Sequence, residues 1–497
     1  MKHIIVIGGG AAGLGAAYKV KRAAEEGHDV TFTLIEKDPR LGGKIASEMV
    51  ADPEGAGDFI VDGGPDCFLT EKPGVHRIAK LAGIFDEELP TDDARKRTHI
   101  LSRGQLHDLP DGVMMFAPTK LVPFATTELF SWPGKIRMGL DLFIPRRTWP
   151  VGERRDETLE SFVVRRMGRE CLDRIAEPLV GGVHASDPAK MSLAATFPRL
   201  LDMEQTYGGM IKGFLAARKK VEEIRMKYPP KPGAKPRTFF TSFDSGMQRL
   251  TDVMADRAGR DSMRIGVAVV AVERNGDRWV VTLADGERVE GDAVIVATEC
   301  WAAEPLMRTV DEKIADALAG IESSSSATIS LGFKEDEVGI DMNAFGLLCP
   351  IVENRQMMAA SFSSTKWPGR APAGRVLLRG FVGGPHNQSI MEESDERLVE
   401  IVLSEMRDIL GVKGDPLFSR VYRWHLGMPQ YTIGHLDRVE TIESRAREIP
   451  GLWLGGGSYR GVGIPNCIEG GEAGVSKVLG EWNMSMAEDS EEPKRYY

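Results

Sequence analysis

Lys2-His3-Ile4-Ile5-Val6-Ile7 runs directly into Gly8-Gly9-Gly10-Ala11-Ala12-Gly13, and nothing else in the chain restricts its fold as tightly. The apolar run reads as a short buried strand, the glycines as a sharp turn, and the spacing predicts a helix over 12–24. In a dinucleotide fold, Gly8 makes the turn, Gly10 lets backbone approach a pyrophosphate, and Gly13 lets helix pack on strand. The diphosphate then rests on a helix N-terminus, where unpaired N–H groups and the helix dipole favour negative charge. Such a unit needs an acid after its second strand. Val30-Thr31-Phe32-Thr33-Leu34-Ile35 ends at Glu36, whose carboxylate can accept ribose hydroxyls and would repel a 2′-phosphate.

Composition limits the rest. A chain of 497 residues exceeds one simple core, so two or three domains are expected. With 42% hydrophobic and 27% charged residues it reads as an ordinary globular protein, and a net charge of −10 argues against nucleic acid as a partner. The five cysteines, Cys67, Cys171, Cys300, Cys349 and Cys467, form no CxxC pair; reduced thiols in the cytoplasm are expected, with no metal site. The sequence enters a strand at once, so no signal peptide is expected, and no stretch approaches about 20 apolar residues, so no membrane span is expected.

The expected class is α/β, a Rossmann-type nucleotide domain with an antiparallel-sheet substrate domain and a mostly helical insertion. Residues 1–75, 238–305 and 440–485 are assigned to the nucleotide domain, 90–235 to the helical one, 306–439 to the substrate domain and 486–497 to a flexible tail. Pro229-Pro230-Lys231-Pro232-Gly233 reads as a linker. Strands are expected over 264–272, 278–283 and 293–298, and antiparallel strands within 327–385.

Lys37, Gly42, Gly43 and Lys44 follow the second strand, and this pattern resembles the flavin-binding amine-oxidase superfamily. In that superfamily such a loop folds over the FAD diphosphate. Gly63, Gly64, Pro65 and Asp66, then Gly455-Gly456-Gly457 and Gly461-Val462-Gly463-Ile464-Pro465 with a helix from about Cys467, would offer backbone to a flat ring system. Both ends of the chain would thus build one FAD site, with Val269, Trp424, Gly456, Val462, Gly463 and Ile464 included through the resemblance.

Within the superfamily the chain is similar to the oxygen-dependent porphyrinogen oxidases of haem synthesis, almost end to end. The likeness rests on Gly64-Pro65-Asp66-Cys67-Phe68-Leu69, Pro118-Thr119-Lys120, Glu177-Pro178-Leu179 through His184-Ala185-Ser186-Asp187-Pro188, Phe197-Pro198, Arg423-Trp424-His425 and Met428-Pro429-Gln430-Tyr431. The segment from Pro118 is most like the bacterial coproporphyrinogen III oxidases. Departures are His184 where a tyrosine is usual, Arg460 where an acid is common and Asn466 where an aspartate is common. The resemblance implies three rounds of hydride removal from a porphyrinogen to FAD, each followed by reoxidation with dioxygen to hydrogen peroxide. Coproporphyrinogen III is the expected substrate and protoporphyrinogen IX the alternative; a flavin amine oxidase or desaturase, or a flavin-free escort protein of the same fold, are more distant readings.

No nucleophile or base motif is present, so the flavin is expected to carry the chemistry and no catalytic side chain is assigned. Lys72 and Arg460 are the cations placed nearest the flavin by motif, for substrate propionates; a surface role for Lys72 competes. His425 and His435 read as structural. Residues 121–144 mix Phe124, Phe130, Trp132 and Phe143 with cations, which suits either a helical layer over the active site or peripheral contact with the inner face of the cell membrane. A homodimer, or hand-over of product to a downstream haem-pathway enzyme, completes the partners considered.

Overall fold

The computed structural model describes residues 1–150, 152, 154–227 and 238–486. The expected linker at 229–233 and most of the expected tail, 487–497, lie outside them.

Five parallel strands form the centre of the nucleotide half, in the order Met263–Arg264, Val30–Ile35, Lys2–Ile7, Ala293–Val296, Leu452–Leu454. Their nearly continuous apolar sequences follow from burial on both faces. Ile4, Val6, Ala293 and Ile295 face a core made with the helices Ala11–Glu25, Pro73–Ala82, Gln248–Ala258 and Ile464–Glu481. Ile5, Ile7, Val294 and Val296 face the opposite core, under the antiparallel strands Val269–Asn275, Arg278–Leu283 and Arg288–Gly291. The sheet therefore draws its strands from the first 40 residues, the middle and the last 50.

The expected strand over 264–272 is interrupted. Gly266 adopts φ +76°, its N–H donates to the Asp38 carbonyl and Val267 N–H to the Glu36 carbonyl, so the chain turns across the end of the second strand before Val269. The C-terminal helix begins earlier than expected, at Ile464, because Gly463 takes the N-cap and Pro465 is tolerated in the first turn.

A second sheet has seven strands: Phe418–Pro429, Ser323–Lys334, Arg375–Gly383, Met357–Phe362, Gly346–Leu348, Thr98–Ser102 and Gln105–Asp108. Six neighbouring pairs join them, and only Gly346–Leu348 with Thr98–Ser102 is parallel. The segment expected to be helical from 90 thus gives two strands to this sheet, and its α-helices start only at Leu121. The reason is the alternation in Thr98-His99-Ile100-Leu101-Ser102, whose Ile100 and Leu101 are buried on opposite sides, in two different cores. Between Leu121 and Lys227 the chain is helical and packs around Phe116, Phe162, Met138 and Leu172.

Candidate active site

The first glycine loop is set by backbone geometry alone. Gly8 has φ +104°, and a Cβ there would stand 2.8 Å from the Ala297 carbonyl oxygen. A Cβ on Gly13 would overlap the Gly8 carbonyl, so helix Ala11–Glu25 can lie on the sheet only with glycine there. Gly10 differs. It is the N-cap of that helix, makes no side-chain cap bond, and a Cβ on it would find nothing nearer than Gly43 Cα at 3.9 Å. The space between Gly10 and Gly43 is therefore kept clear by the absence of two side chains, beside helix N–H groups that no side chain satisfies. Glu36 closes the far side, 7% exposed, accepting from Gly9 N at 2.5 Å and Asp38 N at 2.8 Å.

Lys44 and Lys37 extend along this groove. Lys44 Nζ stands 3.3 Å from Glu299 Oε1, and Lys37 lies over the Trp301 ring at 5.2 Å. Burial would raise the Glu299 carboxyl, but the Lys44 and Lys37 charges, together with hydrogen bonds from Lys44 and the backbone, hold it low.

The second loop, residues 63–67, is held by side chains from distant segments. The Gly63 carbonyl accepts from Thr328 Oγ1 at 2.7 Å, Trp424 Nε1 at 3.1 Å and Arg379 Nη2 at 3.2 Å. Arg379 also donates to the Gly64 carbonyl. Asp66 accepts from Lys366 Nζ and from Trp367 Nε1. Just upstream, Asp62 accepts from Arg370 Nε at 3.2 Å, and Arg370 spans to the Ser242, Phe243 and Asp244 strand end. Trp424 stacks on Tyr422 at 6.4 Å, and Tyr422 bonds Glu48. None of Lys366, Arg370 and Arg379 follows from a motif. The one available signal was charge inside the apolar strand Arg375–Gly383, where Arg379 is buried among Leu377, Leu378 and Val382.

The C-terminal loop completes the space. Gly456 adopts φ +137°, with the Ala12 Cβ 3.7 Å from its would-be Cβ, so it abuts the start of the first helix. Gly463 caps helix Ile464–Glu481 without a side-chain bond, which turns a second set of free N–H groups toward the same region. Tyr431 clamps this loop by donating to the Gly457 carbonyl at 2.6 Å and accepting from Gly461 N at 2.9 Å, and it stacks on His435 at 3.9 Å. Val462 follows the Gly461 bend, and Ile464 packs into the core below the first helix. Cys467 lies one turn into the helix, its thiol pushed up to about 11 by burial.

The two expected substrate cations separate. Lys72, the N-cap of helix Pro73–Ala82, is half-buried, and its charge acts on Glu469 of the C-terminal helix. Arg460 pairs with Glu443, its Nε and Nη2 at 2.6 and 2.8 Å from the two carboxylate oxygens, on an exposed flank. Only the Nε–Nη2 edge of the guanidinium is engaged in this pair. Among the described residues no cluster of His, Cys, Asp and Glu could hold a metal ion.

The profile of the flavin containing amine oxidoreductases matches residues 11–479. The chain belongs to that family. Coproporphyrinogen III oxidase of Bacillus subtilis (strain 168) is 32% identical over 96% of this chain and 98% of its own, and the protein of that name from Propionibacterium freudenreichii 30% over 96% and 90%. A chloroplastic protoporphyrinogen oxidase of Oryza sativa is 31% identical over 95% and 87%. Among solved structures, one from Exiguobacterium sp. 255-15, named as a candidate protoporphyrinogen oxidase, superposes with TM-score 0.82 at 26% identity, covering 97% of this chain and 99% of that one. Reduced UDP-galactopyranose mutase shares the fold, with TM-score 0.70 at 17% identity. The cofactor of this flavoprotein is FAD. A dinucleotide fits the two uncapped helix N-termini, the clear space between Gly10 and Gly43, and the buried carboxylate of Glu36.

Proposed function

We propose that this flavoenzyme is a porphyrinogen oxidase of haem biosynthesis, converting coproporphyrinogen III to coproporphyrin III with dioxygen as acceptor and hydrogen peroxide as product. The observation that carries this reading is end-to-end likeness to bacterial proteins of that name at 28–32% identity over at least 96% of the chain. When bound, FAD accepts a hydride equivalent from a porphyrinogen C–H bond and passes two electrons to dioxygen, so three rounds remove six hydrogens and release three peroxides. The chain's own part is to hold and orient. The first glycine turn and Glu36 would grip the adenosine diphosphate end; the braced loop at 63–67 and the uncapped Gly463 helix would flank the ring end. Lys72, beside that helix, is the cation we place at a substrate propionate.

Anaerobic mixing with each porphyrinogen in turn tests the reading. Coproporphyrinogen III should bleach the flavin at least as fast as protoporphyrinogen IX; bleaching by protoporphyrinogen alone would reassign the substrate, and bleaching by neither would overturn the reading. Acid denaturation should release all of the flavin, since Cys467 is a half-buried thiol held protonated. Yellow colour left in the pellet would mean a covalent link.

Leu121, Val122, Trp132, Ile136 and Phe143 are exposed on the helical segment, and among the described residues no helix is long and apolar enough to cross a membrane. This apolar surface supports peripheral contact of a cytoplasmic enzyme with a membrane. Co-sedimentation with anionic vesicles, lost in Trp132→Ser/Phe143→Ser, would support it; self-association without vesicles would instead assign the surface to a second copy.

A further inference from the structure

The loop at 63–67 is backed by more buried charge than tethering it requires. Asp66 and Lys366 form an ion pair at 3.0 Å with side chains only 15% and 12% exposed. Arg379 is 4% exposed; its Nη2 serves the Gly63 and Gly64 carbonyls, and its Nε is buried with no partner. Burial would raise the Asp66 carboxyl, but the Lys366 and Arg379 charges and the hydrogen bonds from Trp367 and Lys366 together hold it well below the usual range, so Asp66 is ionised. Burial pulls Arg379 down while Asp66 and Asp62 oppose it, and a guanidinium stays protonated regardless. Asp62 is already matched by Arg370 at 3.2 Å. One carboxylate, Asp66, thus stands against two cations, Lys366 and Arg379, and a single positive charge is left over behind the loop.

Tethering calls for a donor to the Gly64 carbonyl, which Arg379 supplies, but a neutral donor would serve there as well. Thr328 and Trp424 already satisfy the Gly63 carbonyl with neutral donors. A fixed, desolvated cation instead stabilises negative charge placed across the loop from it, at no reorganisation cost when that charge appears. We propose that Arg379, with Lys366 behind it, is a positioning residue whose charge favours negative charge on the ring system of the bound FAD, raising its two-electron potential and its affinity for an anionic adduct. The inference rests on the FAD site described above and deepens it by naming the group that tunes the cofactor.

Sulfite is the probe. It donates an electron pair to the oxidised ring, forming one covalent bond and an anionic adduct without any further oxidant, and its Kd reports how far the surroundings favour negative charge. In the FAD-loaded protein, Arg379→Gln should raise the sulfite Kd and lower the two-electron potential, about tenfold in the reduction equilibrium being about 30 mV. Arg379→Lys should recover most of the loss. Asp66→Asn removes the opposing charge and should move both readouts the other way. A merely structural role would loosen the loop in both variants and shift them in the same direction. Unchanged sulfite affinity and potential in flavin-loaded Arg379→Gln overturns the inference, as does a lowered potential in Asp66→Asn; should Arg379→Gln not fold, the sign in Asp66→Asn decides alone. A wild-type protein that binds no flavin overturns the cofactor assignment itself.

Discussion

The glycine loops at residues 8–13 and 63–67 both bring bare backbone to one cofactor space, and they are built in opposite ways. The first is largely local: Gly8, Gly10 and Gly13 set their own turn, strand and helix, and among the described residues the only side chain bonded to the loop is the Glu36 carboxylate, 27 residues from Gly9. The second has little geometry of its own and is held by Thr328, Lys366, Arg370, Arg379 and Trp424, each more than 250 residues distant. One loop is specified by where side chains are absent, the other by where charged and polar side chains arrive. The first should therefore fail by overlap, abruptly, and the second by graded loss of donors.

The sharpest contrast lies within the first loop. Gly13→Val should abolish folding, because its Cβ meets the Gly8 carbonyl and neither helix nor strand can retreat through a packed core. Gly10→Val faces open space and should fold, yet carry no measurable flavin, its side chain filling the phosphate gap beside Gly43. Soluble yield, far-UV circular dichroism and flavin content separate the two. A yellow Gly10→Val protein would break the assignment of that gap.

In the second loop, Arg370→Met should be the largest loss. It leaves the Asp62 carboxylate, 3% exposed in its side chain, with hydrogen bonds from Ser47 and Met247 but no counter-charge. Removing one member of a buried pair costs about 3–5 kcal/mol. Urea unfolding of the flavin-loaded protein measures it; a loss below about 1 kcal/mol would place the pair among weak surface contacts.

The same contrast explains what the sequence reveals. The first strand, helix, second strand and Glu36 were legible because each depends on residues close in the chain, and the period of burial matches the apolar run. The glycine segments at both termini are marked by short motifs, and Gly456 does come to lie against Ala12. The braces of the second loop were not legible. Arg379 and Lys366 carry no spacing signature and acquire meaning only when the strand Arg375–Gly383 comes to lie behind residues 63–64. Thr98–Ser102 was assigned to a helical segment for the same reason: its pairing with Gly346–Leu348 joins residues some 250 apart, beyond the reach of any local period. Arg460 shows the same limit from the other side: its pairing with Glu443, 17 residues away, carries no motif signature either.

Acid should find the braces of the C-terminal loop next. Burial, the largest cause, pulls His435 down to about 4 from its ordinary 6.5, while its bond to the Tyr459 carbonyl opposes the shift. A lowered folded value means the unfolded chain binds the proton first. The stability His435 contributes as a neutral ring is whole above pH 6.5 and is lost as the pH falls from there to about 4. The loss is on the order of 3 kcal/mol at most. His435→Gln, measured by urea unfolding across that window, should be less stable at pH 7.5 but show a shallower fall toward pH 4. An unaltered slope would shift the acid response to His184, lowered to about 4 by burial alone.

Trp424→Phe should be the mildest break, and it tests whether the second loop degrades by degrees. The substitution removes the Nε1 donor at 3.1 Å from the Gly63 carbonyl but keeps an aromatic ring against Tyr422. Thr328 and Arg379 remain on that carbonyl, so it does not become a buried acceptor without a partner. What is lost is one neutral hydrogen bond among three, about 0.5–1.5 kcal/mol in unfolding free energy, with a comparably small drop in flavin affinity. If the donors act as one cooperative cluster, the cost would approach that of Arg370→Met, and the double variant Thr328→Val/Trp424→Phe would cost little more than either single change. Near-additive singles, each small, would place the strength of the second loop in the number of its distant donors, against a first loop that depends on single glycines.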